Sequence, residues 1–237
     1  MSDNLRLFLR KTLAWGVHLF TATGAAWGFL SILAIQAGNY RLAIAWMVLA
    51  ILVDSFDGML ARWLDVKTYA PGLDGALLDN ILDYLNYVFV PAYFLYATDL
   101  LPAGWNLAGA LSILLTSAYQ FSQVDAKTED HYFKGFPSYW NVLVIYMLVL
   151  GTNEWLNLAL LLVCNVLVFI PIKYVYPSRN TVARRLTLFL SYLYGALGLY
   201  GLAKYPDVPR WVIWLSLVYV AYYVALSLWP KRQLARA

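Results

Sequence analysis

Asp54-Ser-Phe-Asp57-Gly58-Met-Leu-Ala61-Arg62, followed by Gly75-Ala-Leu-Leu-Asp79-Asn-Ile-Leu-Asp83, decides how this chain is read. The stretch from Asp54 to Asp83 holds six of the thirteen acidic residues, inside segments otherwise apolar enough to span a bilayer. A carboxylate in hydrocarbon costs at least about 2.5 kcal/mol on the most lenient insertion scale, so a group of them marks a functional site facing a cavity. Four carboxylates side by side repel unless they are protonated or bridged by cations. Hard oxygen ligands of this kind suit Mg2+ or Mn2+.

Positions 54, 57, 58 and 61 follow the i, i+3, i+4, i+7 series and form one stripe down a helix, and positions 75, 79 and 83 form a second. Two facing helices then present two carboxylates each to a shared volume. Gly58, Ala61 and Gly75 lie on the same stripes and leave room for a backbone to approach a ligand, although small residues also serve plain helix packing in membranes. Arg62 ends the first stripe with a charge suited to a phosphate.

Composition agrees with a polytopic membrane protein. Hydrophobic residues make up 62% and charged residues 13% of the 237, against roughly 45–50% and 25% in soluble domains. Runs of about 20 apolar residues predict an all-α transmembrane bundle of about eight spans, near 13–37, 42–62, 75–97, 105–122, 138–150, 155–173, 186–203 and 210–229. The fifth is short and extends through Lys134 or pairs closely with the sixth across Gly151-Thr-Asn153; the latter arrangement leaves seven spans conceivable and eight preferred. In the eight-span arrangement fourteen of the seventeen Lys and Arg residues fall on one side, leaving only Arg41, Lys204 and Arg210 on the other. The positive-inside tendency then puts both termini in the cytoplasm, with Asp54, Asp57, Asp79 and Asp83 in the cytoplasmic halves of the second and third spans.

The first apolar segment, about 25 residues long, exceeds a typical signal-peptide core and reads as a retained span. Upstream of it, residues 1–11 mix Leu5, Leu7, Phe8 and Leu9 with Arg6, Arg10 and Lys11, a pattern open to an interfacial helix or a frayed basic terminus. The formal charge of +4 needs no nucleic acid, because basic cytoplasmic loops facing anionic headgroups account for it. Cys164 stands alone in an apolar run, so there is neither a disulfide framework nor a thiolate metal site. His18 and His131 lack a second histidine at ligand spacing and read as structural. The chain carries no serine elbow, phosphate-cradling loop or soluble domain, and is expected to be one domain over 1–237.

The two stretches together resemble the CDP-alcohol phosphotransferases, integral membrane enzymes with the signature Asp-x2-Asp-Gly-x2-Ala-Arg, a spacer, then Gly-x3-Asp-x3-Asp. Every specified residue of it is present. The spacer, twelve residues from Trp63 to Asp74, is longer than in most members. Its Pro71-Gly72 turn signal implies a larger loop with the register of both helices intact. The longer spacer, together with Asp130-His-Tyr-Phe-Lys-Gly-Phe-Pro-Ser-Tyr-Trp-Asn141 and Pro171-Ile-Lys-Tyr-Val-Tyr-Pro-Ser-Arg179, resembles the bacterial branch that joins choline to CDP-diacylglycerol.

The resemblance implies roles. Asp54, Asp57 and Asp79 are implied as the principal metal ligands, with Asp83 near the metals as general base on the acceptor hydroxyl. Gly58, Ala61, Arg62 and Gly75 accommodate the cytidine diphosphate. Two Mn2+ or Mg2+ ions about 4 Å apart suit an in-line displacement on a pyrophosphate. A homodimer in the bacterial inner membrane, with the site facing the cytoplasm, is implied as well. Lys134 and Arg179, and less directly Lys173, Arg184 and Arg185, are basic residues at cytoplasmic span ends, suited to lipid phosphates or to ordinary positive-inside topology. A quaternary ammonium cannot donate hydrogen bonds and is held by aromatic faces. Tyr84, Tyr87, Tyr139 and Trp140 are therefore the candidates for choline, although with 17% aromatics many rings serve packing and interfacial anchoring.

Two other readings use the same carboxylates. One is the same chemistry with serine, inositol or glycerol phosphate as acceptor; an anionic acceptor calls for added positive charge in the cavity. The other is an ion or proton transporter, which places ionisable groups along a path open to both sides. The acidic cluster here lies on one side only, which disfavours it.

Overall fold

The computed structural model describes residues 2–124, 132–175 and 184–228. It is built almost wholly of helices. A long antiparallel pair comes first: α1 (Asp3–Gln36) and α2 (Tyr40–Trp63). Between them the chain reverses over Ala37-Gly38-Asn39. Gly38 takes a left-handed φ of 68°, its N–H bonds to the Ile35 carbonyl, and Asn39 caps α2 by accepting from the Leu42 N–H. Within the 1–11 stretch, residues 3–11 are the opening turns of α1 and not a separate helix.

The spacer does more than lengthen a loop. After α2, Asp65 takes a left-handed turn (φ 47°) into the single-turn helix α3 (Val66–Tyr69). Val66 and Ala70 bury against Ala14 and Val17 of α1, with Ala61 packed beside them. Arg10 reaches the Tyr69 hydroxyl and lies over its ring. Asp74 then accepts hydrogen bonds from the Ala76 and Leu77 N–H groups and so caps α4 (Gly75–Asp83).

The span expected at 75–97 is helical throughout but not regular. α4 runs into a π-helical segment (Tyr84–Phe89) and then α5 (Val90–Ala97). Widened turns of this type redirect side chains and recur at functional sites. Here Asn86 turns toward α1 and donates to the Gly24 carbonyl at 3.2 Å. The approach requires glycine: a Cβ on Gly28 would come within 2.7 Å of the Asn86 amide oxygen. Gly24-x3-Gly28 is thus a small-residue seam of the type that lets membrane helices meet.

α6 (Asn106–Ser122), α7 (Trp140–Leu150) and α8 (Glu154–Phe169) complete the interior, and α9 (Arg184–Lys204) with α10 (Arg210–Leu228) forms an outer pair. The expected fifth span neither reaches 138 as helix nor extends through Lys134. Residues 132–134 instead form strand β1 (Tyr132–Lys134), paired antiparallel with β2 (Lys173–Val175), with Phe133 opposite Tyr174. The expected sixth span ends early because Pro171 disfavours helix at Ile170. This ribbon is the one departure from an all-α architecture among the described residues.

Four helices, α1, α2, α9 and α10, are long and apolar enough to cross a membrane. The remaining expected spans are shorter or built from pieces. α7 lies at the centre, with Trp140, Val144 and Met147 in the main core beside Phe94, Ile113 and Leu161. Cys164 packs against that core as a free thiol. Polar side chains tie the bundle internally: Thr116 donates to Asn165 at 2.6 Å, and Tyr146 to Ser216 at 2.8 Å. Outward, α9 and α10 expose Phe189, Tyr192, Trp211, Trp214 and Val218, a surface fit for lipid.

Candidate active site

α2 and α4 bring their carboxylates together. One oxygen each from Asp54, Asp57 and Asp79 lies within 4.8 Å of the others. Asp57 is buried, while Asp54 and Asp79 are half-buried. The space beside them, about 10 Å3, is lined by Asp54, Asp57, Asp79 and Asp83 with Thr21 and Tyr87. That is room for one small sphere of water size. Three hard oxygen donors converging on so small a polar space fit a divalent cation, which takes oxygens at 2.0–2.1 Å if Mg2+ and prefers few protein ligands with water and phosphate completing the shell.

Asp83 borders the same space but is not one of the three converging carboxylates. It also faces a second, larger cavity of about 360 Å3, shared with Asp54, Asp79 and Tyr87. Tyr87, from the π segment, donates its hydroxyl to Asp54 at 2.7 Å. A phenol hydrogen-bonded to a carboxylate fixes its orientation, as the outer partners of metal ligands do. Thr21 of α1 faces Asp57, as does the Gly58 N–H.

Gly58 and Arg62 stand close to Asp57 on α2, and none of Gly58, Ala61, Arg62 and Gly75 lines either cavity. Arg62 is exposed and folds back, its Nη1 only 3.3 Å from where a Cβ on Gly58 would be. Gly75 faces His18, whose Cε1 would lie 3.2 Å from a Cβ there. Ala61 is packed on α3 and α1. His18 therefore closes the α1 side of Gly75, with Trp15 edge-on to its ring at 5.8 Å.

The aromatic candidates divide. Tyr87 and Tyr139 line the larger cavity. Tyr84 does not: its hydroxyl donates to the Leu114 carbonyl at 2.9 Å and its ring meets Phe121 edge-on. Trp140 is fully buried, with its indole N–H donated to Ser117 at 2.6 Å, and so belongs to the core. Lys134 lies in β1 and its carbonyl accepts from Gln120 at 2.7 Å. Lys173 extends over the Tyr132 ring, and Arg184 and Arg185 are exposed at the start of α9. Arg179 and His131 lie outside the described residues.

Sequence reasoning missed Thr21, Gln120, Phe121 and Phe133 at the site, and the turn of Asn86 toward α1. Only the last had a local signal, the Gly24-x3-Gly28 spacing.

Converging carboxylates between apolar helices, with an arginine close by and a larger cavity alongside, suit an integral membrane enzyme that transfers a phosphoryl-linked group. The chain belongs to the CDP-alcohol phosphatidyltransferase family, whose family model matches residues 17–229. It is 46% identical to a phosphatidylcholine synthase of Legionella pneumophila, over 90% of this chain and 87% of that protein. It is 38% identical to a phosphatidylcholine synthase of Pseudomonas aeruginosa over 93% of each. A third relative of the same name, from Borreliella burgdorferi, is 46% identical over 74% of this chain and 75% of its own length.

Proposed function

We propose that this chain condenses choline with CDP-diacylglycerol to give phosphatidylcholine and CMP. The choline hydroxyl oxygen forms a bond to the lipid-side phosphorus, the bond from that phosphorus to the bridging oxygen breaks, and CMP leaves with the electron pair. The hydroxyl proton passes to Asp83. Family membership and the near full-length likeness to proteins named phosphatidylcholine synthase support this reading. The observation that carries it is the convergence of Asp54, Asp57 and Asp79 on one small space, with Asp83 bordering both that space and the larger cavity.

Asp54, Asp57 and Asp79 would hold Mn2+ or Mg2+, in two ions per site by family resemblance. When bound there, such cations would supply charge neutralisation of the pyrophosphate and of the entering and leaving oxygens. Gly58, Ala61, Arg62 and Gly75 accommodate the cytidine diphosphate, Arg62 by its charge and the small residues by letting the nucleotide close to the backbone. Lys134 and Arg179 are the proposed partners of lipid phosphate, and Tyr87 and Tyr139 of choline. Eight spans with both termini in the cytoplasm of a bacterial inner membrane, the site on that side, and a homodimer complete the reading, supported by the Lys and Arg asymmetry and the family resemblance.

The test supplies purified protein with CDP-diacylglycerol and Mn2+, offers choline, serine, inositol and glycerol phosphate separately, and measures CMP release. Choline alone is expected to support rapid turnover. Turnover with serine or inositol and none with choline would refute the acceptor assignment.

A further inference from the structure

The larger cavity has two unlike walls. One is the carboxylate wall, Asp54, Asp79 and Asp83. The rest of the lining includes Phe121 at the end of α6, Phe133 on the ribbon and Tyr139 just before α7, with the amides Asn80, Gln120 and Gln123 between, and no Lys, Arg or His lines the cavity among the described residues. A volume of about 360 Å3 is at the small end of ligand pockets and matches a compact headgroup. Aromatic rings and negative charge in one cavity suit a positive ligand that has no N–H to donate.

The ribbon is held as a fixed wall. Gln120 donates to the Lys134 carbonyl, and the Gly135 and Phe136 N–H groups bond to the Ile172 and Leu167 carbonyls at 2.9 and 3.0 Å. Gly135 has a φ of 80°, and a Cβ there would run into the Val168 carbonyl, so the strand exit is clamped on α8. Because side chains alternate along a strand, Phe133 points opposite to its neighbours Tyr132 and Lys134. Tyr174, paired across the ribbon with Phe133, stacks on Tyr223, which meets Tyr139 edge-on at 6.1 Å.

We propose that the β1–β2 ribbon is the acceptor-selecting element of this enzyme, with the face of Phe133, flanked by Phe121 and Tyr139, receiving the quaternary ammonium of choline. The assignment rests on choline being the acceptor. It makes Phe133 a specificity-determining residue.

Wild type and Phe133→Leu are assayed by CMP release with CDP-diacylglycerol and Mn2+, against choline and against 3,3-dimethylbutan-1-ol, in which carbon replaces the ammonium nitrogen. Loss of one cation–π face should raise KM for choline about three- to thirtyfold. KM for CDP-diacylglycerol should stay within twofold, and the preference for choline over the neutral isostere should shrink by the same factor as choline binding. Ring-fluorinated phenylalanines at 133, which keep the shape and weaken the face, should raise KM for choline stepwise with fluorine number, and this series serves if the leucine variant does not fold. An unchanged KM for choline in the fluorinated series, or a parallel rise in KM for CDP-diacylglycerol, would overturn the assignment while leaving the reaction itself standing. Wild type that turns over no choline would overturn the reaction and the assignment together.

Discussion

The two walls of the larger cavity differ in how they are made. The carboxylate wall comes from two helices close in sequence, α2 and α4, and its geometry follows from residue spacing along each helix. The aromatic wall is assembled from residue 121, a strand at 132–134, and residue 139, and stands only because the ribbon's second strand returns at 173–175. On the proposed reading, reaction chemistry is carried by a pair of helices adjacent in sequence, while acceptor choice is left to a surface that tertiary packing must bring together.

The sharpest way to break this contrast is to remove a converging carboxylate. Asp57→Ala should cost more than about a hundredfold in turnover, since even the outer partners of metal ligands typically cost about 10–100-fold. CMP release from an inserted, detergent-extractable protein is the readout; loss of insertion would instead assign Asp57 to folding. Next, Asp83→Asn separates the base from the cation group. Turnover should fall by about 10²–10⁴-fold with Mn2+ affinity, followed by electron paramagnetic resonance, within threefold of wild type. A matched loss of Mn2+ affinity would move Asp83 into the ligand set.

Tyr87→Phe probes the seam between the walls, because its hydroxyl serves Asp54 while its ring borders the acceptor cavity. It keeps the ring and removes the bond, so Mn2+ binding should weaken about tenfold with KM for choline within twofold. The smallest effect is expected at Trp140, near in sequence to Tyr139 but buried in the core. Trp140→Phe loses the bond to Ser117 and some volume, and should lower stability by about 1–3 kcal/mol in thermal unfolding without changing KM for choline more than twofold.

The contrast also explains what could be read beforehand. Asp54, Asp57 and Asp79 were legible because a charge in an apolar run is costly and helical periodicity is local. The capped start of α4 and the intact register across the spacer follow from Pro71-Gly72 and Asp74, residues of short range. Phe121 and Phe133 were not legible, since an aromatic residue in a chain with 17% of them carries no sign of which cavity it faces. Proximity in sequence misled in the same way: Tyr84 and Trp140 stand next to site residues yet point into packing. The ribbon was hidden because three-residue strands leave no periodic pattern. The π segment was hidden because its apolar run reads as one continuous span.

The account depends most on cations being gripped between α2 and α4. Counting Mn2+ bound to purified wild type and to the Asp54→Asn, Asp57→Asn, Asp79→Asn triple variant, by electron paramagnetic resonance with CDP-diacylglycerol present, tests it directly. Wild type should bind Mn2+ stoichiometrically at the site, and the triple variant, still folded by circular dichroism, should bind none there. Equal binding by both would contradict the account.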